Sequence, residues 1–150
     1  MQNSFFVFAY ADKGRRDFMN ESHCNMKPMP AVINIDRQTK TNTNYRKVLW
    51  TGEYLQVTVM CIPPGGDIGL ECHPDTDQFI RIEQGCALVE MGCQKHCLNQ
   101  RQTANPDYAV LVPAGTWHNV TNIGRCPLRV YSIYAPPHHP VGLVEPRKPE

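Results

Sequence analysis

Two short segments of this 150-residue sequence carry side chains that are potential metal ligands. In the first segment Glu71 and His73 lie two residues apart. On an extended backbone their side chains leave the same face, while Cys72 between them points away. In the second segment a proline and glycine turn at residues 113–115 delivers His118 onto the next strand. The carboxylate and imidazole groups of the two segments are therefore placed to converge on one point.

The spacing around these residues is specific in both segments. The first reads Gly65, five residues, Glu71-x-His73, four residues, Gln78, six residues, Gly85, and the second reads Pro113-x-Gly115-x2-His118-x3-Asn122. Both resemble the two motifs of the cupin superfamily of small β-barrels, G-x5-H-x-H-x3-4-E-x6-G and G-x5-P-x-G-x2-H-x3-N. Asp107 stands where the leading glycine of the second motif is expected. The resemblance covers residues 54–134.

The resemblance implies an all-β fold, the cupin double-stranded β-helix or jelly-roll barrel, preceded by an N-terminal extension. It also implies a metal centre formed by Glu71, His73, Gln78 and His118. Compared with the usual motif, Glu71 stands in place of the first histidine and Gln78 in place of the carboxylate. Together the two substitutions move the carboxylate from one ligand position to another. Such mixed nitrogen and oxygen donors suit a divalent transition metal, namely Fe, Mn, Ni, Co or Zn.

Two alternatives at this site remain open from the residues alone. If Gln78 is not a ligand, its amide would hydrogen-bond a bound water or substrate. Buried histidine, glutamate and glutamine side chains also form satisfied polar networks in proteins that hold no metal. A buried Glu71 without a metal would need another cation or a proton to offset its desolvation.

Short alternating segments separated by proline and glycine predict an antiparallel sandwich or barrel. The strand candidates are residues 54–62, 78–83, 86–91, 108–112, 117–122 and 128–134. Alternation from Gln78 places Ile80 and Ile82 inside with it. One short helical turn is expected around residues 94–101.

Several other side chains are candidates for chemistry near the site. Glu71, Tyr108 and Tyr134 are the candidate catalytic residues, since a carboxylate or a phenol can move a proton. His138 and His139 follow the last strand candidate, and they either cover the pocket or lie exposed between prolines.

The sequences near the two chain ends predict an N-terminal extension and a C-terminal tail on either side of a single domain. Residues 1–30 form an extension in which the apolar residues 5–10 either add an edge strand at a dimer interface or remain a partly ordered tail. Residues 31–140 form one cupin domain, and residues 141–150 form a proline-rich tail laid over it. Homodimerisation is expected, because single-domain cupins commonly pair their barrels.

Composition excludes some partners and suggests a compartment. Fifteen Lys+Arg against fourteen Asp+Glu leave no excess positive charge for a nucleic-acid backbone. No apolar run approaches the ~20 residues of a membrane helix. Seven cysteines, an odd number without paired CxxC motifs, are typical of reduced thiols in the cytoplasm.

Three functions are compatible with the resemblance, because fold alone does not select a reaction. Residues 44–52 and 131–140 look like those of stand-alone bacterial cupins labelled mannose-6-phosphate isomerase-like. The first hypothesis is therefore an isomerase or epimerase acting on a sugar or similar small polar molecule. The alternatives are a non-haem Fe or Ni dioxygenase and a non-catalytic small-molecule binding protein.

Overall fold

A computed structural model describes residues 28–150 of the chain. The expectation of an edge strand at residues 5–10 lies outside the described residues. The elements, in chain order, are α1 Ile35–Thr41, β1 Arg46–Thr51, β2 Gln56–Ile62, β3 Asp77–Gln84, β4 Ala87–Gly92, β5 Gln100–Ala104, β6 Ala109–Val112, β7 Trp117–Asn122, β8 Leu128–Ala135 and β9 Val144–Glu145. None of the helices in the described part of the chain is long and apolar enough to cross a membrane.

The strands form two antiparallel sheets around one core, so the expected all-β double-stranded β-helix is confirmed. The larger sheet has the order β6-β3-β8-β2-β1-β9 and the smaller has β5-β4-β7. Buried apolar side chains from both sheets make a single cluster. The cluster includes Ile80 and Ile82 of β3, as alternation predicts, and Val120 of β7.

The barrel interior is polar at one end and apolar at the other. Across neighbouring strands Gln56 lies opposite Tyr134, and Tyr134 lies opposite Gln78. All three side chains are buried. Further along the same strands the interior positions become apolar, with Met60 opposite Val130 and Val130 opposite Ile82. We call the end that holds Gln56, Gln78 and Tyr134 the polar end of the barrel.

The helical turn expected around residues 94–101 was wrong. The chain instead makes a tight turn in which Gln94 and Cys97 pair. β5 then begins at Gln100 and pairs with β4. The exposed polar side chains of β5 explain the error, because this edge strand has almost no buried face to give an alternating pattern.

The helix α1 was not predicted, although its N-cap is visible in the sequence. The side chain of Asn34 accepts a hydrogen bond from the backbone N–H of Arg37. Asp36 and Lys40 form an i,i+4 ion pair on the exposed side. The helix packs on β2, β3 and β8, so it covers part of the outer face of the larger sheet.

Candidate metal centre

The segment between β2 and β3 places Glu71 and His73 beside β7. The backbone N–H of Glu71 donates to the carbonyl of His118, and the N–H of His118 donates to the carbonyl of Glu71. The N–H of Gly115 donates to the carbonyl of His73, at 2.8 Å. These backbone bonds fix the two motifs against each other, with the turn at Gly115 in the left-handed region at φ 77°.

The side chains of Glu71, His73 and His118 converge at the polar end of the barrel. Glu71 Oε1 lies 3.4 Å from His73 Nε2 and 3.5 Å from His118 Nε2. One ligand atom from each of the three residues lies within 4.8 Å of the other two. His118 is fully buried and His73 is 6% exposed.

This geometry fits a metal ion. Nitrogen and oxygen ligands about 2.0–2.2 Å from a metal at tetrahedral or octahedral angles are about 2.8–3.6 Å apart. Both Glu71 Oε1 separations fall in that range. Glu71 Oε1 and His73 Nε2 are also buried without a hydrogen-bond partner among the described residues. A cation between them would satisfy both atoms.

The hydrogen bonds of His118 orient its ring toward the centre. Its Nδ1 lies 3.0 Å from the carbonyl oxygen of Thr116, and donation to that acceptor leaves the lone pair on Nε2. Nε2 in turn faces Gln78 Oε1 at 3.0 Å. Rotating the Gln78 amide would let it donate to Nε2, but it would leave Glu71 Oε1 and His73 Nε2 unpaired.

The surroundings of Glu71 favour its ionised form, which is the form that binds a metal. Burial alone would raise the pKa of Glu71, but the imidazoles of His118 and His73 lower it more, to about 2. Glu71 is therefore ionised at neutral pH while the two facing imidazoles carry protons, and a metal ion at the same position would replace those protons.

Tyr134 stands next to the centre as a protonated phenol. Its hydroxyl accepts a hydrogen bond from Gln78 Nε2 at 3.0 Å. Burial, followed by the negative charge of Glu71, raises the pKa of Tyr134 above its ordinary value. Its ring lies 5.8 Å from that of His73, centroid to centroid.

The structure does not bring Tyr108 to this centre. Tyr108 is half-exposed and lines a separate concavity of about 250 Å³ with Met91 and Gln102. Tyr131 points to the outer face of the larger sheet, where its ring lies 6.1 Å from that of Phe79.

Two further residues lie near the centre, and the sequence pointed to only one of them. His138 lies over the ring of His73, with centroids 4.0 Å apart, and its other side remains exposed, so both expectations for this residue apply. Gln56 was not singled out at all. The signal that could have found it is a polar residue in the inward phase of a strand, where an apolar side chain is the rule.

Comparison with known proteins decides the family. The cupin domain model matches residues 58–134, half of the chain and nearly all of the segment from β2 to β8 that builds the centre. This chain belongs to the cupin family. The sequence-based resemblance is thus confirmed, including the double-stranded β-helix fold.

This cupin has similar relatives in a bacterium and a virus. It is 55% identical over 121 residues to the uncharacterized protein YrkC of Bacillus subtilis (strain 168), a match that covers 81% of this chain and 65% of YrkC. It is 37% identical over 120 residues to the uncharacterized protein L612 of Acanthamoeba polyphaga mimivirus, covering 79% of this chain and 73% of L612. The chain thus spans just under two thirds of the length of YrkC.

A solved structure supports the same fold over most of this cupin. The crystal structure of BH2720 from Bacillus halodurans matches with 55% sequence identity and a TM-score of 0.80, covering 81% of this chain and 92% of that one. TT1209 from Thermus thermophilus is more distant, with 20% identity and a TM-score of 0.60 over 70% of this chain and 96% of that one. This second likeness concerns the fold alone.

Proposed function

We propose that this cupin is a metal-dependent isomerase- or epimerase-type protein acting on a sugar or similar small polar molecule. Glu71, His73 and His118 would hold a divalent transition metal, with Gln78 Oε1 as the fourth donor atom and the second oxygen. The observation that supports the metal best is the pair of buried, unpartnered atoms Glu71 Oε1 and His73 Nε2, which face each other at 3.4 Å.

The residues around the centre have separate roles in this proposal. When bound, the metal would polarise a carbonyl or hydroxyl oxygen of the ligand. Glu71, ionised and half-buried, balances the charge and orients the two imidazoles rather than accepting a proton. Tyr134 keeps its proton, and its hydroxyl, which accepts from Gln78, would donate a hydrogen bond to a ligand oxygen.

The isomerase proposal is tested with sugars in deuterated water. Metal-loaded protein is incubated with a panel of aldoses, ketoses and their phosphates, and NMR follows interconversion and deuterium uptake next to the carbonyl. We expect metal-dependent exchange on at least one member, reduced at least tenfold in Tyr134→Phe. A panel left unbound and unchanged by protein of verified metal content would overturn the isomerase proposal.

A second candidate function follows from the same cluster. Two histidines and one carboxylate are also the ligand composition of non-haem Fe(II) oxygenases. Dioxygen consumption that depends on added Fe(II) would favour this candidate, because isomerisation consumes none. Ligand-induced thermal stabilisation without product by mass spectrometry would instead favour a non-catalytic binding protein.

We also propose that this cupin is a homodimer. An apolar row crosses the outer face of the larger sheet, where Leu111, Phe79, Ile133, Val57 and Trp50 lie opposite one another on successive strands. Leu111 is 66% exposed, and with Phe79, Ile133 and other residues that include the polar Asp77 and Gln78 it lines a concavity of about 310 Å³. A protruding side chain and a concavity in the same patch suit a two-fold interface, because each side chain can enter the concavity of the other subunit.

The proposed setting is the cytoplasm. It is supported by the six free cysteines of the described residues, which form no disulfide among themselves: Cys61, Cys72, Cys86, Cys93, Cys97 and Cys126.

A further inference from the structure

A loop that follows β8 lies against the metal centre. We call residues 136–140, which contain three prolines, the covering loop. The ring of His138 lies 4.0 Å from that of His73 and 5.8 Å from that of Tyr134, centroid to centroid. The ring of His139 lies 4.9 Å from that of Tyr134. Two side chains of the covering loop therefore pack on two residues of the centre.

The backbone of the covering loop is held by one buried side chain. Gln56 Oε1 accepts hydrogen bonds from the N–H groups of His138 and His139, at 3.3 and 2.8 Å. Gln56 Nε2 donates to the carbonyl of His139 at 2.8 Å and to Thr51 Oγ1 at 3.0 Å. Gln56 is fully buried, so its amide is devoted to this loop and to β1.

This arrangement has no evident role in the barrel core. An apolar residue at position 56 would continue the interior without burying an amide, which is costly unless each polar atom is paired. Among the described residues, the only backbone groups that the Gln56 side chain contacts by hydrogen bonds are those of His138 and His139. The buried amide therefore fixes the loop, and through His138 it fixes the outer side of His73.

We propose that Gln56 is a positioning residue for the metal centre and that His138 covers it. Gln56 holds the covering loop so that the His138 ring packs on His73, and the loop must open before a metal or a small polar ligand exchanges at the centre. A small polar ligand that binds the metal after the loop opens would then contact His138 and Tyr134. This inference rests on the proposed function, because it assumes that a metal is held by Glu71, His73 and His118.

The first experiment measures the loop itself in metal-free, full-length protein. Hydrogen–deuterium exchange with mass spectrometry follows peptides that span the covering loop. We expect protected amides at His138 and His139 in the wild type and at least about tenfold faster exchange in Gln56→Leu, because the acceptor of both amides is lost. Gln84→Leu is the matched control, since the side chain of Gln84 donates to the carbonyl of Pro127 and to no other group in residues 28–150.

The second experiment measures exchange at the centre. Protein loaded with Co(II) is mixed with excess EDTA, and the loss of visible absorbance gives the release rate. We expect release to be about tenfold faster in Gln56→Leu and in His138→Ala, while His96→Ala, which alters an exposed histidine, leaves it unchanged. His138→Ala keeps Gln56 intact and serves if the glutamine variant does not fold.

The possible failures are distinguishable. Unchanged Co(II) release in His138→Ala, or fast release in the wild type equal to that in both variants, overturns the role of the covering loop and leaves the metal proposal standing. Unchanged amide exchange in Gln56→Leu overturns the positioning role of Gln56. Wild-type protein that binds no Co(II) overturns the proposed function, and with it this inference, before any variant is compared.

Discussion

The two unpartnered atoms at the polar end of the barrel carry most of the functional argument. Glu71 Oε1 and His73 Nε2 are each buried without a partner in the described residues. Buried polar atoms in native proteins are almost always paired, and an unpaired carboxylate oxygen is the more costly case. A bound cation removes both costs at once, because it takes the lone pairs of the two atoms.

Removing the charge of Glu71 tests that argument at a single residue. We expect Glu71→Gln to lower the affinity for Zn(II) or Co(II) by more than about 100-fold, since a neutral amide oxygen is a weaker ligand than a carboxylate and leaves the charge of the metal unbalanced. The measurement is competition with a chromophoric chelator at pH 7. Glu83→Gln is the control, because Glu83 pairs with Arg81 away from the centre. Equal affinity in the two variants contradicts a ligand role for Glu71.

At the scale of strands and loops, the sequence predicted what depends on local pattern. Alternation located β2, β3, β4, β6, β7 and β8 to within a few residues, and the spacing of Glu71, His73 and His118 located the cluster. The covering loop could not be predicted in this way. Its position depends on Gln56, which is 82 and 83 residues away from the two amides that it binds.

The turn at Gly85 joins β3 to β4, and it requires glycine for two reasons. Its φ is 98°, and a Cβ there would lie 2.9 Å from the Cα of Leu128. Gly85→Ala should lower the free energy of unfolding by about 1–3 kcal/mol. In Gly142→Ala, where φ is 72° and nothing lies within 4 Å, the loss should be about 1 kcal/mol. Urea unfolding measures both, and equal losses would show that the approach to Leu128 is unimportant.

The covering loop also gives the fold a pH dependence. Burial, followed by the charge of Arg46, lowers the pKa of His139 from 6.5 to about 4. Below pH 6.5 the unfolded chain gains a proton at His139 that the folded chain takes up only near pH 4. The stability contributed by the neutral ring is therefore present above pH 6.5 and is lost as the pH falls toward 4.

Comparing wild-type protein with His139→Gln isolates this effect. Urea midpoints are measured from pH 7 to pH 4.5 for both proteins. We expect the wild type to lose more stability than the variant as the pH falls through this range. His96→Gln, which changes an exposed histidine, is the control. Parallel curves for the wild type and His139→Gln contradict the account of His139.

At the scale of the whole molecule, the two faces of the larger sheet have different surroundings. The inner face lines the barrel core, whereas the outer face is covered in part by α1 and also carries the apolar row. Exposed apolar patches of this kind often mark a contact with another chain. The spacing of motifs gave no information on this row, because it arises from the register between β1, β2, β8, β3 and β6.

Leu111 is the most direct test of the proposed dimer. Size-exclusion chromatography with light scattering should give a dimer for the wild type and a monomer for Leu111→Arg, because a charge would be buried in the interface. Ile123→Arg changes an exposed apolar residue of the β7–β8 connection and should remain dimeric. A monomeric wild type, or a dimeric Leu111→Arg protein, contradicts the proposed interface.

The central claim is that Glu71, His73 and His118 hold a divalent transition metal. Plasma emission spectrometry on protein purified without an affinity tag, before and after incubation with Fe, Mn, Ni, Co or Zn and gel filtration, tests it directly. We expect about one ion of one of these metals per chain in the wild type and far less in a Glu71→Gln, His118→Ala double variant. A wild-type metal content well below one per chain that none of the five metals restores would contradict the claim.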